Sequence, residues 1–134
     1  MSVVYKKRIF SIALFFATIG IAFCIATPQA FAMSSKGNAK VAFHTDANTY
    51  SKKATTIVVT GKCITSPISG TVVELYKKGN PNSIKRIDIW KGSTYTVSFK
   101  LKGLSSGLYD VKVASGWADR DYRAELKHYL KVTR

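Results

Sequence analysis

From Lys40 onward, apolar and polar residues alternate in short runs separated by clusters of Gly, Ser, Asn and Pro. That is the pattern of half-buried β-strands joined by turns. Seven strands are predicted, at Val41–Thr45, Thr55–Ile64, Thr71–Lys77, Ile84–Trp90, Thr94–Leu101, Leu108–Ala114 and Glu125–Thr133. The fifth alternates most clearly, with Tyr95, Val97, Phe99 and Leu101 on one face and Thr94, Thr96, Ser98 and Lys100 on the other. In the sixth, Tyr109, Val111 and Val113 oppose Asp110 and Lys112, and in the seventh, Leu126, His128, Leu130 and Val132 share a side. Ser66–Gly70 and Gly79–Ser83 supply turns, because proline fixes one dihedral and glycine tolerates positive φ. Residues 33–39 are small and polar and predict a flexible lead that does not pack.

No segment after residue 32 keeps a helical period over ten residues. The expected fold class is therefore all-β: a seven-stranded sandwich over 40–134, each sheet burying one face of its strands against the other. A partly closed barrel satisfies the same alternation and is the alternative.

The first 32 residues follow a different rule. Lys6, Lys7 and Arg8 precede an uncharged apolar run, Ile9–Ala26, and Ala30-Phe31-Ala32 has the small-x-small form that a signal peptidase accepts. The run is also close to the length of a spanning helix, so a retained anchor is the rival reading. Pro28 and the alanine pair favour a signal-peptide helix cleaved after Ala32. Cys24 does not suggest a lipoprotein, since Phe23 precedes it where a small residue is needed. The product is expected to be secreted or extracellular, associated with the cell wall or free, and to meet a membrane only through an uncleaved leader.

Charge then narrows the partners. Residues 33–134 hold 18 basic and seven acidic side chains, a net charge of +11. Such a field attracts anionic polymers of the cell wall or extracellular space, though the lysines are scattered along the sequence. The pairs Lys52-Lys53, Lys77-Lys78 and Lys85-Arg86 fall near predicted turns or edges, where they also discourage edge-to-edge pairing. Export argues against a nucleic-acid role. Only Cys63 follows the leader, so no disulfide closes within the domain, and its apolar flanks Val58, Val59 and Ile64 favour a buried thiol.

Leu104-Ser105-Ser106-Gly107-Leu108-Tyr109, followed by Val111 and Val113, resembles the approach to the sixth strand of immunoglobulin-like and fibronectin-like domains. Thr56–Lys62, Thr71–Tyr76 and Gly92-x-x-Tyr95-x-Val97-x-Phe99 are similar to the pattern of bacterial immunoglobulin-like modules of secreted and surface proteins. The likeness spans roughly Tyr50–Ser115. It implies that the Tyr109 hydroxyl caps a backbone group at a corner between sheets and that Gly107 allows a tight approach, with Leu104 as the structural leucine of the motif. It also implies binding or scaffolding rather than catalysis. The paired cysteines and core tryptophan of antibody domains are absent, and Lys131–Arg134 carries no wall-sorting motif, so the product is expected to be free or held by charge.

Catalytic constellations are scarce. Cys63 with His44 or His128 is the one nucleophile pairing available, and neither His44 with Asp46 nor Asp119, Asp121 and Glu125 has a recognised metal-ligand spacing. No cofactor or metal is expected. Chemistry is concentrated outside the predicted strands at 116–124, where Trp117, Arg120, Tyr122 and Arg123 form the candidate binding loop for a sugar ring or an anion. Its bland alternative is a loop that ties itself down. The function expected is an exported, non-catalytic protein associated with an anionic envelope or extracellular component. A cationic antimicrobial or toxin acting on competitor membranes, and a small secreted hydrolase or inhibitor using Cys63, are the alternatives.

Overall fold

The computed structural model describes residues 32–66, 69–117 and 120–134, without the side chains of Trp117 and Arg120. The leader therefore lies outside the described residues, and so do Pro67 and Ile68 of the predicted turn. Among the described residues no helix is long and apolar enough to cross a membrane.

The described residues form an all-β fold, with two sheets and ten strands. They are β1 (Ser35–Gly37), β2 (Phe43–Thr45), β3 (Thr49–Tyr50), β4 (Thr56–Lys62), β5 (Thr71–Lys77), β6 (Lys85–Ile89), β7 (Thr94–Lys100), β8 (Gly107–Trp117), β9 (Arg120–Leu126) and β10 (Leu130–Val132). A three-stranded sheet runs β2-β4-β7. In the seven-stranded sheet the long β8 is central: β5 pairs along one side of it and in turn pairs β6, while β9 and β10 share the other side. β1 extends the sheet beyond β9, and β3 lies parallel to β10.

The period-two pattern explains which side chains meet. Ile57 and Val59 of β4, Phe99 of β7, Val73 and Leu75 of β5, and Tyr109, Val111 and Val113 of β8 are all buried in one core shared by both sheets. Buried polar groups are satisfied locally. Thr71 Oγ1 donates to the Ile64 carbonyl at 2.8 Å, and Ser115 Oγ to the same carbonyl at 2.9 Å. Among the described residues Tyr95 Oη is the exception, buried without a hydrogen-bond partner. Its desolvation is uncompensated, so Tyr95→Phe should be neutral to stabilising, by up to about 1 kcal/mol in a urea melt. A loss of stability would reveal a partner for the hydroxyl.

Three expectations need correction. The lead at 33–39 is built into the fold: β1 pairs Ser35 with Leu126, Asn38 N–H donates to the Arg123 carbonyl at 2.8 Å, and Met33 packs against the core. Backbone hydrogen bonding and a glycine at φ +116°, Gly37, achieve what apolar side chains do elsewhere. Residues 125–133 do not form one strand. A bend at 127–128 separates β9 from β10 and leaves His128 exposed, not on the buried side with Leu126 and Leu130. Finally, the predicted loop at 116–124 is largely strand, because β8 continues to Trp117 and returns as β9 from Arg120.

Candidate functional site

The predicted binding residues are distributed along the β8–β9 hairpin. Trp117 and Arg120 are register partners at its end. Tyr122 is half-buried on the core side, with Lys40 Nζ 5.2 Å from its ring centroid. Arg123 lies on the opposite face, exposed, its guanidinium 2.6 Å from Asp121 Oδ2. That carboxylate raises the Arg123 pKa, first through the hydrogen bond and then through its charge. Tyr122 and Arg123 therefore do not converge on one ligand. Alternation within a strand sends neighbours to opposite faces.

The structural residues stand as follows. Tyr109 Oη donates to the Ser105 carbonyl at 2.7 Å, Leu104 packs against the core, and Gly107 sits at φ +149°. Tyr109→Phe should cost about 1 kcal/mol by denaturant melt, since the carbonyl loses its donor. An unchanged midpoint would show that the bond contributes nothing.

Cys63 is buried and its thiol donates to the Gly92 carbonyl at 3.2 Å. Burial raises its pKa, the reverse of what activates a nucleophile. His44 and His128 are both exposed. Among the described residues no three His, Cys, Asp or Glu side chains are grouped as a metal site.

Charge is sorted by the fold in a way the linear sequence conceals. Of the seven acids, Glu74, Asp88, Asp110, Asp121 and Glu125 all lie on the outer face of the seven-stranded sheet. There Arg86, Glu74, Lys112, Glu125 and Lys36 are successive cross-strand neighbours on β6, β5, β8, β9 and β1, a row that alternates in sign. Lys36 Nζ is 3.2 Å from Glu125, and Arg86 Nε is 2.9 Å from Asp88 Oδ1. Lys112 Nζ stands 4.9 Å from the Tyr76 ring, whose hydroxyl donates to Glu74 at 2.8 Å. A shallow groove of about 520 Å³ runs over this face, lined by acids and bases together. Along this row each charge has neighbours of opposite sign, and the face has little net field.

Asp110 belongs to the same face and is half-buried. Desolvation, with Glu125 adding to it, raises its pKa above the ordinary 3.8 despite a hydrogen bond from the Leu126 N–H. The folded domain thus holds that proton more readily than the unfolded chain. Its stability contribution is fully present below 3.8 and is lost as pH rises through the folded value. Asp110→Asn should raise the melting temperature at neutral pH and change it little near pH 3 or below. A variant less stable than wild type at neutral pH would contradict this.

One end of the molecule is rich in basic side chains, and Asp46 beside it is engaged by its own neighbours. Asp46 accepts from Tyr50 Oη at 2.6 Å and from Val58 N–H at 2.9 Å, and Asp119 is not among the described residues. Where β4 begins and β5 and β7 end, turns gather Lys52, Lys53, Lys77, Lys78, Lys85, Lys100, Lys102 and Arg134. The arrangement is held by hydrogen bonds. Leu101 N–H donates to the Thr55 carbonyl at 2.9 Å, Lys78 N–H to Leu108 at 2.9 Å and Arg134 Nη2 to Ala54 at 2.9 Å. Lys85 Nζ donates to the Lys100 carbonyl and Lys77 Nζ to Ser105 Oγ, both at 2.6 Å.

A concavity of about 340 Å³ opens among them, lined by Lys77, Lys85, Lys102, Ser105, Leu104 and Ile84 with no acid. Its residues come from β5, β6 and the β7–β8 turn, so their meeting depends on topology and no local motif announces it. Doubled basic residues at successive turns were the available signal. Trp90, the last residue of the predicted fourth strand, is 59% exposed after β6, at the opposite end, with its ring against Gly70. In comparison with known proteins, the chain matches no family model, no curated protein and no solved structure.

Proposed function

We propose that this chain is an exported, non-catalytic β-sandwich protein of immunoglobulin-like type that associates with an anionic envelope or extracellular component through its basic end. The observation that carries the reading is the gathering of charge: five acids are balanced on one sheet face, while eight basic side chains meet at one end, three of them around a concavity whose lining holds no acid. A generic basic surface would scatter both signs.

Three features support the sandwich type. The order β6-β5-β8-β9 faces β2-β4-β7 across a common core, β3 runs parallel to β10 at the sheet edge, and Tyr109 bonds back to Ser105 at the turn into β8. Export rests on Lys6, Lys7 and Arg8, the apolar run and Ala30-Phe31-Ala32. The inert setting of Cys63 supports binding over thiol chemistry.

Affinity for a polyanion should fall at least about tenfold between about 50 and about 200 mM salt, as counterions compete for the lysines. Retention of residues 33–134 on isolated envelope or immobilised polyanion measures it. Binding indifferent to salt removes the electrostatic reading.

A further inference from the structure

The lysine-lined concavity differs from the rest of the basic end in being both fixed and shaped. Lys77 and Lys85 hold their ammonium groups in place through Ser105 Oγ and the Lys100 carbonyl, so less freedom is lost when an anion arrives. Lys102 completes the ring from the turn after β7, beside Gly103 at φ +85°.

No arginine lines the concavity. Arginine's planar fork serves carboxylate and phosphate alike, whereas three lysine point charges from β5, β6 and the β7–β8 turn, with the Ser105 hydroxyl as a further donor, approach from different directions and suit the several oxygens of a tetrahedral phosphate better than the two of a planar carboxylate. The floor is apolar, from Leu104 and Ile84. A repeating chain that carries charge at intervals and CH₂ or CH groups between fits such a mixture. Nucleic acid fits less well, because the aromatic side chain at the site, Tyr109, is only 1% exposed and offers no ring face for a base.

We propose that Lys77, Lys85, Lys102 and Ser105 form a subsite for the phosphate groups of a polyol-phosphate polymer, with Leu104 and Ile84 against its carbon linkers. This rests on the reading of the basic end as an anion-binding surface and specifies its partner.

The test uses residues 33–134 with a glycerol-phosphate oligomer, polyglutamate of matched charge, single-stranded DNA and anionic phospholipid vesicles, at about 150 mM salt. The glycerol-phosphate oligomer should bind about tenfold or more tighter than polyglutamate, and tighter than DNA or vesicles. The triple variant Lys77→Gln, Lys85→Gln, Lys102→Gln should lose about tenfold or more for that oligomer. Lys62→Gln, Lys91→Gln, Lys127→Gln removes equal charge from exposed positions outside the concavity and should lose less than about threefold.

Should the first triple fail to fold, amide shifts of Gly103, Leu104 and Ser105 in the wild type during oligomer titration decide the matter. They should move with the oligomer and not with polyglutamate. Equal affinity for the two polymers, equal loss in the two triples, or unmoved amides overturns the phosphate subsite while leaving the broader anion reading intact. Tighter binding to DNA or vesicles overturns the choice of partner. No retention on any polyanion at low salt overturns both readings.

Discussion

Phe99→Ala is expected to lower the stability of the domain by about 3–5 kcal/mol. Phe99 lies on β7 at 2% exposure, paired through its backbone with Ile57 and sharing a core with Leu75, Val111 and Val113 of the other sheet. Its ring belongs to the layer joining the two sheets, and removing it forfeits apolar burial and leaves a void that neighbours fixed in strands cannot collapse to fill. Domains of this size have about 5–15 kcal/mol in total. Cys63 is a free thiol, so no cross-link limits the damage. Urea unfolding followed by far-ultraviolet circular dichroism measures the change. A midpoint near wild type would mean that the sheets do not share this core.

The second large effect comes from adding a single methyl group. Gly61→Ala should destabilise the domain by about 1–3 kcal/mol and loosen β2 first. A Cβ at Gly61 would stand 2.6 Å from the Cβ of Phe43 and 2.7 Å from Tyr95 Oη. Phe43 is its register partner on β2 and Tyr95 its partner on β7, so the glycine is pressed from both sides. The Phe43 Cβ is fixed to the backbone and cannot swing away. Combining Gly61→Ala with Tyr95→Phe should therefore recover only part of the loss. Hydrogen exchange should show Phe43–Thr45 deprotected before Thr94–Lys100. Uniform loss of protection would show instead that β2 does not open separately.

The strands that alternate over seven residues were legible in the sequence. Thr71–Lys77 is reproduced to the residue, and Thr94–Lys100 ends one residue before the prediction. Alternation of this kind reports burial on one face directly. β1 was invisible because its residues contribute backbone pairing and almost no apolar side chain. The 116–124 segment read as a loop because Gly116, Asp119 and Asp121 are turn-forming types, although Gly116, Trp117 and 120–124 are paired. The single strand predicted at 125–133 failed for a subtler reason. Its period is correct on both sides of His128, but alternation does not disclose a bend at 127–128. The candidate site was the least legible of all. Lysines 52 and 102 are fifty residues apart in the sequence and share an end only because β4 and β7 are antiparallel neighbours. Charge counting gives the size of a field, and topology decides where it points.

The parallel pairing of Thr49–Tyr50 with Lys131–Val132 joins two segments separated by nearly the whole domain. During synthesis, β3 emerges early and stays without its partner until β10 has been made. Loop-closure entropy makes such a closure a late and slow event. A growing chain of this kind remains open along that seam, with an uncovered strand edge that invites other chains, until almost all of the domain has left the ribosome.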